Sequence, residues 1–168
     1  FFAGEAFEHF DVLLVGQNKE RKQARHSPFG EYSDDAVFVG ILMQVSVYMD
    51  FFNVHANFWP VTGKVSYYKY HPGRYLLAFL PKAAEENEHS STAIDTGKEE
   101  IFFKQIAGTF ARRIVCYSQE GSEELRGVQC GIIKFGSRFD IFLPLDADIK
   151  VKLGQEIKAA ETIVAELK

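Results

Sequence analysis

From Val37 onward the apolar residues come in short runs broken by glycine, and none is long enough for a helix of ordinary length. Val45-Ser46-Val47-Tyr48-Met49 alternates with a period of two, as a strand with one buried face requires. Lys64 to Tyr68 follows Gly63, and Tyr75 to Leu80 stops at Pro81. Glu100 to Ile106, Ala111 to Tyr117, Cys130 to Phe135 and Phe139 to Leu143 add four more strand patterns, set off by Gly97, Gly108, Gly121 and Gly136. Aromatic residues make up 14% of the chain, with sixteen phenylalanines against one tryptophan, an enrichment that suits strands. The pattern predicts a mainly β fold, α+β at most, as a sandwich or barrel-like single domain over 1–168 with few short helices.

The remaining stretches are less regular. Phe1 to Phe10 has the spacing of a short aromatic helix, and Asp11 to Val15 reads as a buried strand stopped by Gly16. Gln17 to Tyr32 and Lys82 to Thr92 read as polar surface loops. Val151 to Gln155 and Thr162 to Leu167 are expected to close the chain as a final strand pair. Pro60-Val61-Thr62-Gly63-Lys64-Val65 and the segment from Val151 echo the two halves of a lipoyl-type hammerhead, without that family's methionine-flanked lysine.

Several functions are disfavoured at once. A net charge of −4 gives no basic field for nucleic acid. The longest apolar run, Ala36 to Met43, falls far short of the ~20 residues of a membrane-spanning helix. No basic segment followed by a small-residue cleavage site opens the chain, so no signal peptide is expected; the first residue is Phe, as in a piece of a longer protein. Cys116 and Cys130 have neither CxxC nor zinc-type histidine spacing, so two reduced, buried thiols and no metal are expected.

Three segments can carry chemistry. The first, Phe52-Asn53-Val54-His55-Ala56-Asn57-Phe58-Trp59-Pro60, holds a histidine among strand residues, which taken alone is more often structural than catalytic. The second contains Arg112 and Arg113; neighbours on a strand face opposite ways, so one can enter a site while the other stays in water. The third, Lys134-Phe135-Gly136-Ser137-Arg138, is a Gly-Ser pair between strands, a common turn in isolation.

In this order the segments are specific. From about Val45 to Leu167, through VSVYM, FNVHANFWPVTGKV, LPKA, IAGTFARRIV, GIIKFGSR, FLPL and VKLGQ, the chain resembles the phosphatidylserine decarboxylases, in particular their small bacterial, pyruvoyl-dependent branch. The resemblance implies a zymogen that cuts itself between Gly136 and Ser137, giving 1–136 and 137–168. Ser137 then becomes a pyruvoyl group that forms a Schiff base with phosphatidylserine and withdraws electrons as CO2 leaves. It implies His55 as general acid/base, Arg112 or Arg113 as phosphate ligands, and no metal. It further implies a carboxy-lyase making phosphatidylethanolamine on the cytoplasmic side of a bacterial membrane. Its partners are then phosphatidylserine and the bilayer, not nucleic acid, and a homo-oligomer is compatible with it.

Residues 1–44 match poorly. The family carries an upstream aspartate in a Pro-Ala-Asp-Gly loop, and the best-matching position here is Asn18, an amide; Asp11, Asp34 and Asp35 are the nearby carboxylates. The alternatives are a related serine phospholipid as substrate, or a catalytically silent lipid-binding β-domain of the same fold.

Overall fold

The computed structural model describes residues 9–19, 25–27, 30–32, 41–50, 53, 55–80, 82–110, 113–134 and 136–168. The early strands are β1 (His9–Lys19), β2 (Arg25–Ser27), β3 (Gly30–Tyr32), β4 (Ile41–Met49), β5 (Ala56–Phe58) and β6 (Gly63–His71). A four-residue helix, α1 (Ala83–Glu86), precedes β7 (His89–Asp95), β8 (Glu100–Ile106) and β9 (Ile114–Cys116). The chain ends with β10 (Glu123–Glu124), β11 (Gln129–Ile133), β12 (Ser137–Leu143), β13 (Asp148–Ile149), β14 (Glu156–Lys158) and β15 (Ala165–Glu166).

The main sheet has the order β10-β6-β7-β8-β12-β4-β1-β14, and a smaller one has the order β5-β11-β9. The mainly β reading holds. The barrel-like reading does not, because the eight-stranded sheet ends on β10 at one side and β14 at the other and never closes.

The alternation in β4 explains where the core sits. Val45, Val47 and Met49 join Phe139, Ile141, Leu143, Ile101, Phe103, Ile94 and Val65 on one face. Trp59 packs edge-on against Phe103 there, with ring centroids 5.7 Å apart. The intervening residues Gln44 and Ser46 lie on the opposite face, which is also buried. That second layer combines Phe102, Phe142 and Ala93 with Arg138, Asp140 and Lys104. β12 lies between β4 and β8 and is buried along its whole length.

Four local expectations are corrected. Tyr75 to Leu80 is not a strand but an irregular strap. Asn87 replaces its ladder partner: Oδ1 accepts the Leu76 N–H (2.9 Å), while Nδ2 donates to the carbonyls of Leu76 (2.8 Å) and Ala107 (2.7 Å). Lys82 to Thr92 is not a surface loop, because α1 and then β7 occupy it and Ser90, Ser91 and Thr92 are buried. Their polarity is accommodated in part by Ser90 Oγ donating to Gln105 Oε1 (2.9 Å) and by the Thr92–Ser118 hydroxyl pair (3.0 Å). Gln17 to Tyr32 contains the end of β1 and the hairpin β2–β3. At the C-terminus, β13 pairs with β15 and β14 with β1, in place of the expected final pair.

The helical reading of Phe1 to Phe10 lies largely outside the described residues; His9 and Phe10 belong to β1. Cys116 and Cys130 are both free thiols, and burial raises the pKa of Cys130 well above its ordinary value.

Candidate functional site

β11 ends at Ile133 and β12 begins at Ser137, so Gly136 is the last residue of a tight connection. Its φ of +64° lies in the left-handed region, open to glycine at no steric cost. Ser137 is completely buried, opposite Met49 in the β12–β4 register. Its Oγ faces the Met49 thioether at 3.8 Å.

The Gly136 carbonyl is pressed against Gly108. A Cβ at Gly108 would lie 1.6 Å from Gly136 O, 2.8 Å from its carbonyl carbon and 3.3 Å from Ala78 Cβ. Only glycine permits that approach, which gives the glycine of the IAGTF segment a physical reason. Gly108→Ala is therefore expected to cost roughly 1–3 kcal/mol through overpacking that no flexible side chain can relieve. A thermal melt reads that cost, and an unchanged melting temperature would contradict the close packing.

Beside this pair, Thr109 Oγ1 is buried with no hydrogen-bond partner among the described residues. It is a hydroxyl that the sequence reading did not single out.

A buried polar chain fixes Met49. Ser90 Oγ donates to Gln105 Oε1 (2.9 Å), Gln105 Nε2 to Asn57 Oδ1 (2.8 Å), and Asn57 Nδ2 to Met49 Sδ (3.3 Å). Asn57 stands two residues after His55 on the same short segment.

His55 is tied to the approach of Ser137, because its carbonyl accepts the Ile133 N–H at 3.1 Å. Burial lowers the imidazole pKa below its ordinary 6.5, opposed by a backbone hydrogen bond at Asn53 and by the charge of Asp50. The ring is thus predominantly neutral at pH 7, as a proton acceptor must be. Asp50, directly after Met49, supplies the carboxylate charge acting on His55, and the sequence reading missed it.

Arg138 follows Ser137 and is 5% exposed. Its Nε and Nη2 grip Asp140 Oδ1 and Oδ2 at 2.7 and 2.6 Å, while Nη1 donates to the carbonyls of Ala78 (3.2 Å) and Leu80 (3.3 Å). The guanidinium thereby holds the strap down beside Gly108 and Gly136. Arg113 is exposed, and Arg112 lies outside the described residues.

The structure does not bring Asn18 to this site. Asn18 stands opposite Leu42, whereas Ser137 stands opposite Met49, about 23 Å further along β4 at an extended strand's rise. Asp11 is opposite Tyr48, at the Ser137 end, and Asp34 and Asp35 lie outside the described residues.

A family model described as phosphatidylserine decarboxylase matches residues 15–165. The chain belongs to the phosphatidylserine decarboxylase family.

Among curated relatives named phosphatidylserine decarboxylase proenzyme, that of Cytophaga hutchinsonii is 48% identical over 124 residues, covering 73% of this chain and 56% of the relative. That of Amoebophilus asiaticus is 44% identical over 135 residues, covering 80% and 60%. That of Porphyromonas gingivalis is 38% identical over 193 aligned positions, covering 99% and 87%. The chain thus spans less than two thirds of the first two relatives' lengths. No solved structure matches it.

For a member of the phosphatidylserine decarboxylase family, the described residues show no helix long and apolar enough to cross a membrane. They also hold no cluster of three or more metal-ligating side chains.

Proposed function

We propose that this chain cuts itself between Gly136 and Ser137 and, once cut, decarboxylates phosphatidylserine at a membrane surface. The observation that carries the reading is the Gly136 carbonyl clamped against Gly108 and joined to a fully buried serine.

Ser137 Oγ attacks the Gly136 carbonyl carbon, the peptide C–N bond breaks, and the Ser137 nitrogen leaves as an amine, giving an ester. Removal of the Ser137 α-proton then expels Gly136 as a carboxylate and leaves a carbon–carbon double bond at residue 137. Water replaces ammonia there to give a ketone. The residues fit such a group: glycine supplies the backbone freedom, and burial excludes bulk water from the serine. When formed, the pyruvoyl group supplies the electron sink for decarboxylation.

His55 takes the Oγ proton and passes it to the departing amine, and Asp50 stabilises the imidazolium while that proton is held. Asp50 thus serves here in place of the aspartate expected at Asn18. Arg113, exposed just before β9, offers a planar fork for the lipid phosphate.

The test is a denaturing gel together with CO2 release from phosphatidylserine. Fragments of 136 and 32 residues with activity support the reading; one uncut, inactive band favours a silent lipid-binding domain. His55→Asn is expected to slow the cut by about 10²-fold or more. The cleavage rate should rise with pH through an inflection below 6.5 and then level off, since neutral His55 is the active form. Asp50→Asn removes a charge that raises the His55 pKa, so its inflection should move further down. An inflection unmoved by Asp50→Asn would remove Asp50 from the mechanism. The same lowered pKa makes His55 a source of stability above pH 6.5 that is lost as the pH falls through the folded pKa.

A further inference from the structure

The strap that covers the scissile peptide is apolar on its outside. Leu77, Phe79 and Leu80 are 44%, 48% and 37% exposed, and Phe110, two residues after Gly108, is 65% exposed. These residues stand immediately around the site. Phe79 packs edge-on against Tyr48 at 6.1 Å, and the Tyr48 hydroxyl is the nearest atom to a Cβ at Gly136, at 3.9 Å. Ala78 lies against Gly108, and Arg138 fixes the strap backbone from below.

Cations flank these segments in the chain and in the strand register. Ile114 pairs with Ile133 in the β9–β11 register, which sets the exposed Arg113 beside the exposed Lys134 just before the scissile bond. Exposed Lys82 follows the strap, and Arg74 precedes it in an ion pair with Glu86.

We propose that Leu77, Phe79, Leu80 and Phe110, with Arg113 and Lys134 beside them, form the surface by which the protein docks on an anionic lipid bilayer. The inference rests on the proposed function in taking a bilayer lipid as substrate, and it names the face presented to that bilayer. Apolar side chains enter the headgroup boundary, and the cations meet anionic headgroups at its rim. In a chain of net charge −4, cations gathered beside an apolar tip at the reactive bond suit an anionic partner. A second copy fits less well, because a twofold contact through this face sets like charges together. A further basic run, from Lys19 to Arg25, lies largely outside the described residues.

The test uses the full chain with vesicles of phosphatidylserine and phosphatidylcholine, against vesicles of phosphatidylcholine alone. The parent protein should float with the anionic vesicles and detach as salt is raised. The double variant Leu77→Asp, Phe110→Asp should bind at least tenfold more weakly. Its melting temperature should stay close to the parent's, which separates lost docking from lost folding. Undiminished binding by that variant overturns the proposal, as does equal binding of the parent to phosphatidylcholine alone. A dimer in lipid-free sedimentation that the variant abolishes also overturns it, in favour of a second copy. Binding that follows the patch in a protein that neither cuts itself nor releases CO2 would sink the proposed reaction and leave the docking surface standing.

Discussion

Ser137→Ala is expected to give a folded protein that runs as one band and releases no CO2 from phosphatidylserine. The variant loses the oxygen that attacks Gly136 and the atom from which the ketone is later made, so both functions vanish together. The fold should hardly notice. Among the described residues the Ser137 Oγ hydrogen-bonds only to the weakly accepting Met49 sulfur, at 3.8 Å, so its loss should cost less than about 1 kcal/mol. Backbone pairing with Met49 does not depend on the side chain. The measurement is a denaturing gel with a thermal melt on the same sample. Two fragments from the alanine variant would mean that another bond or another protease makes the cut. An unfolded variant would mean that the buried hydroxyl supports the fold in a way its contact with Met49 does not show.

The parts of this site that were legible in the sequence are those tied to local pattern. The alternation of Val45 to Met49 gave β4 and its core face, and the order of segments containing His55 and Gly136-Ser137 gave the family resemblance. What the sequence withheld is register. Nothing in the spacing of Asn18 says that β1 runs antiparallel to β4 with Asn18 at Leu42, at the far end from Met49. The same ignorance hid Asp50, which matters only because the turn after β4 brings it within electrostatic reach of His55.

The strap was misread for a related reason. Its apolar run has the composition of a strand, but the Asn87 side chain at Leu76 and Arg138 at Ala78 and Leu80 take the place of a ladder partner. Ser90 to Thr92 looked like solvent-facing residues because polar type is a poor guide to burial when a central strand can pair its hydroxyls with neighbours.

The second large effect should come from Asp140, on the face opposite the core. Asp140 has no exposure and receives the Arg138 fork at 2.7 and 2.6 Å and Gln44 Nε2 at 3.1 Å. Lys104 stands opposite it in the β12–β8 register, with its ammonium 6.0 and 5.8 Å from the Phe102 and Phe142 ring centres. Asp140→Ala leaves the Arg138 guanidinium buried without that counter-charge, a loss expected to cost about 3–5 kcal/mol. That is a large share of the roughly 5–15 kcal/mol that holds an ordinary domain together, so the melting temperature should fall steeply. The double variant Arg138→Met, Asp140→Leu removes both charges at similar volume and should recover most of the loss.

Stability and function should then part company. The double variant still lacks the donor to the Ala78 and Leu80 carbonyls, so the strap is no longer pinned beside Gly108 and the scissile carbonyl. It should melt near the parent temperature yet cut itself more slowly. A single Asp140→Ala variant that melts like the parent would show the ion pair to be dispensable. A double variant that cuts at the parent rate would show that Arg138 balances a buried charge and does not position the strap.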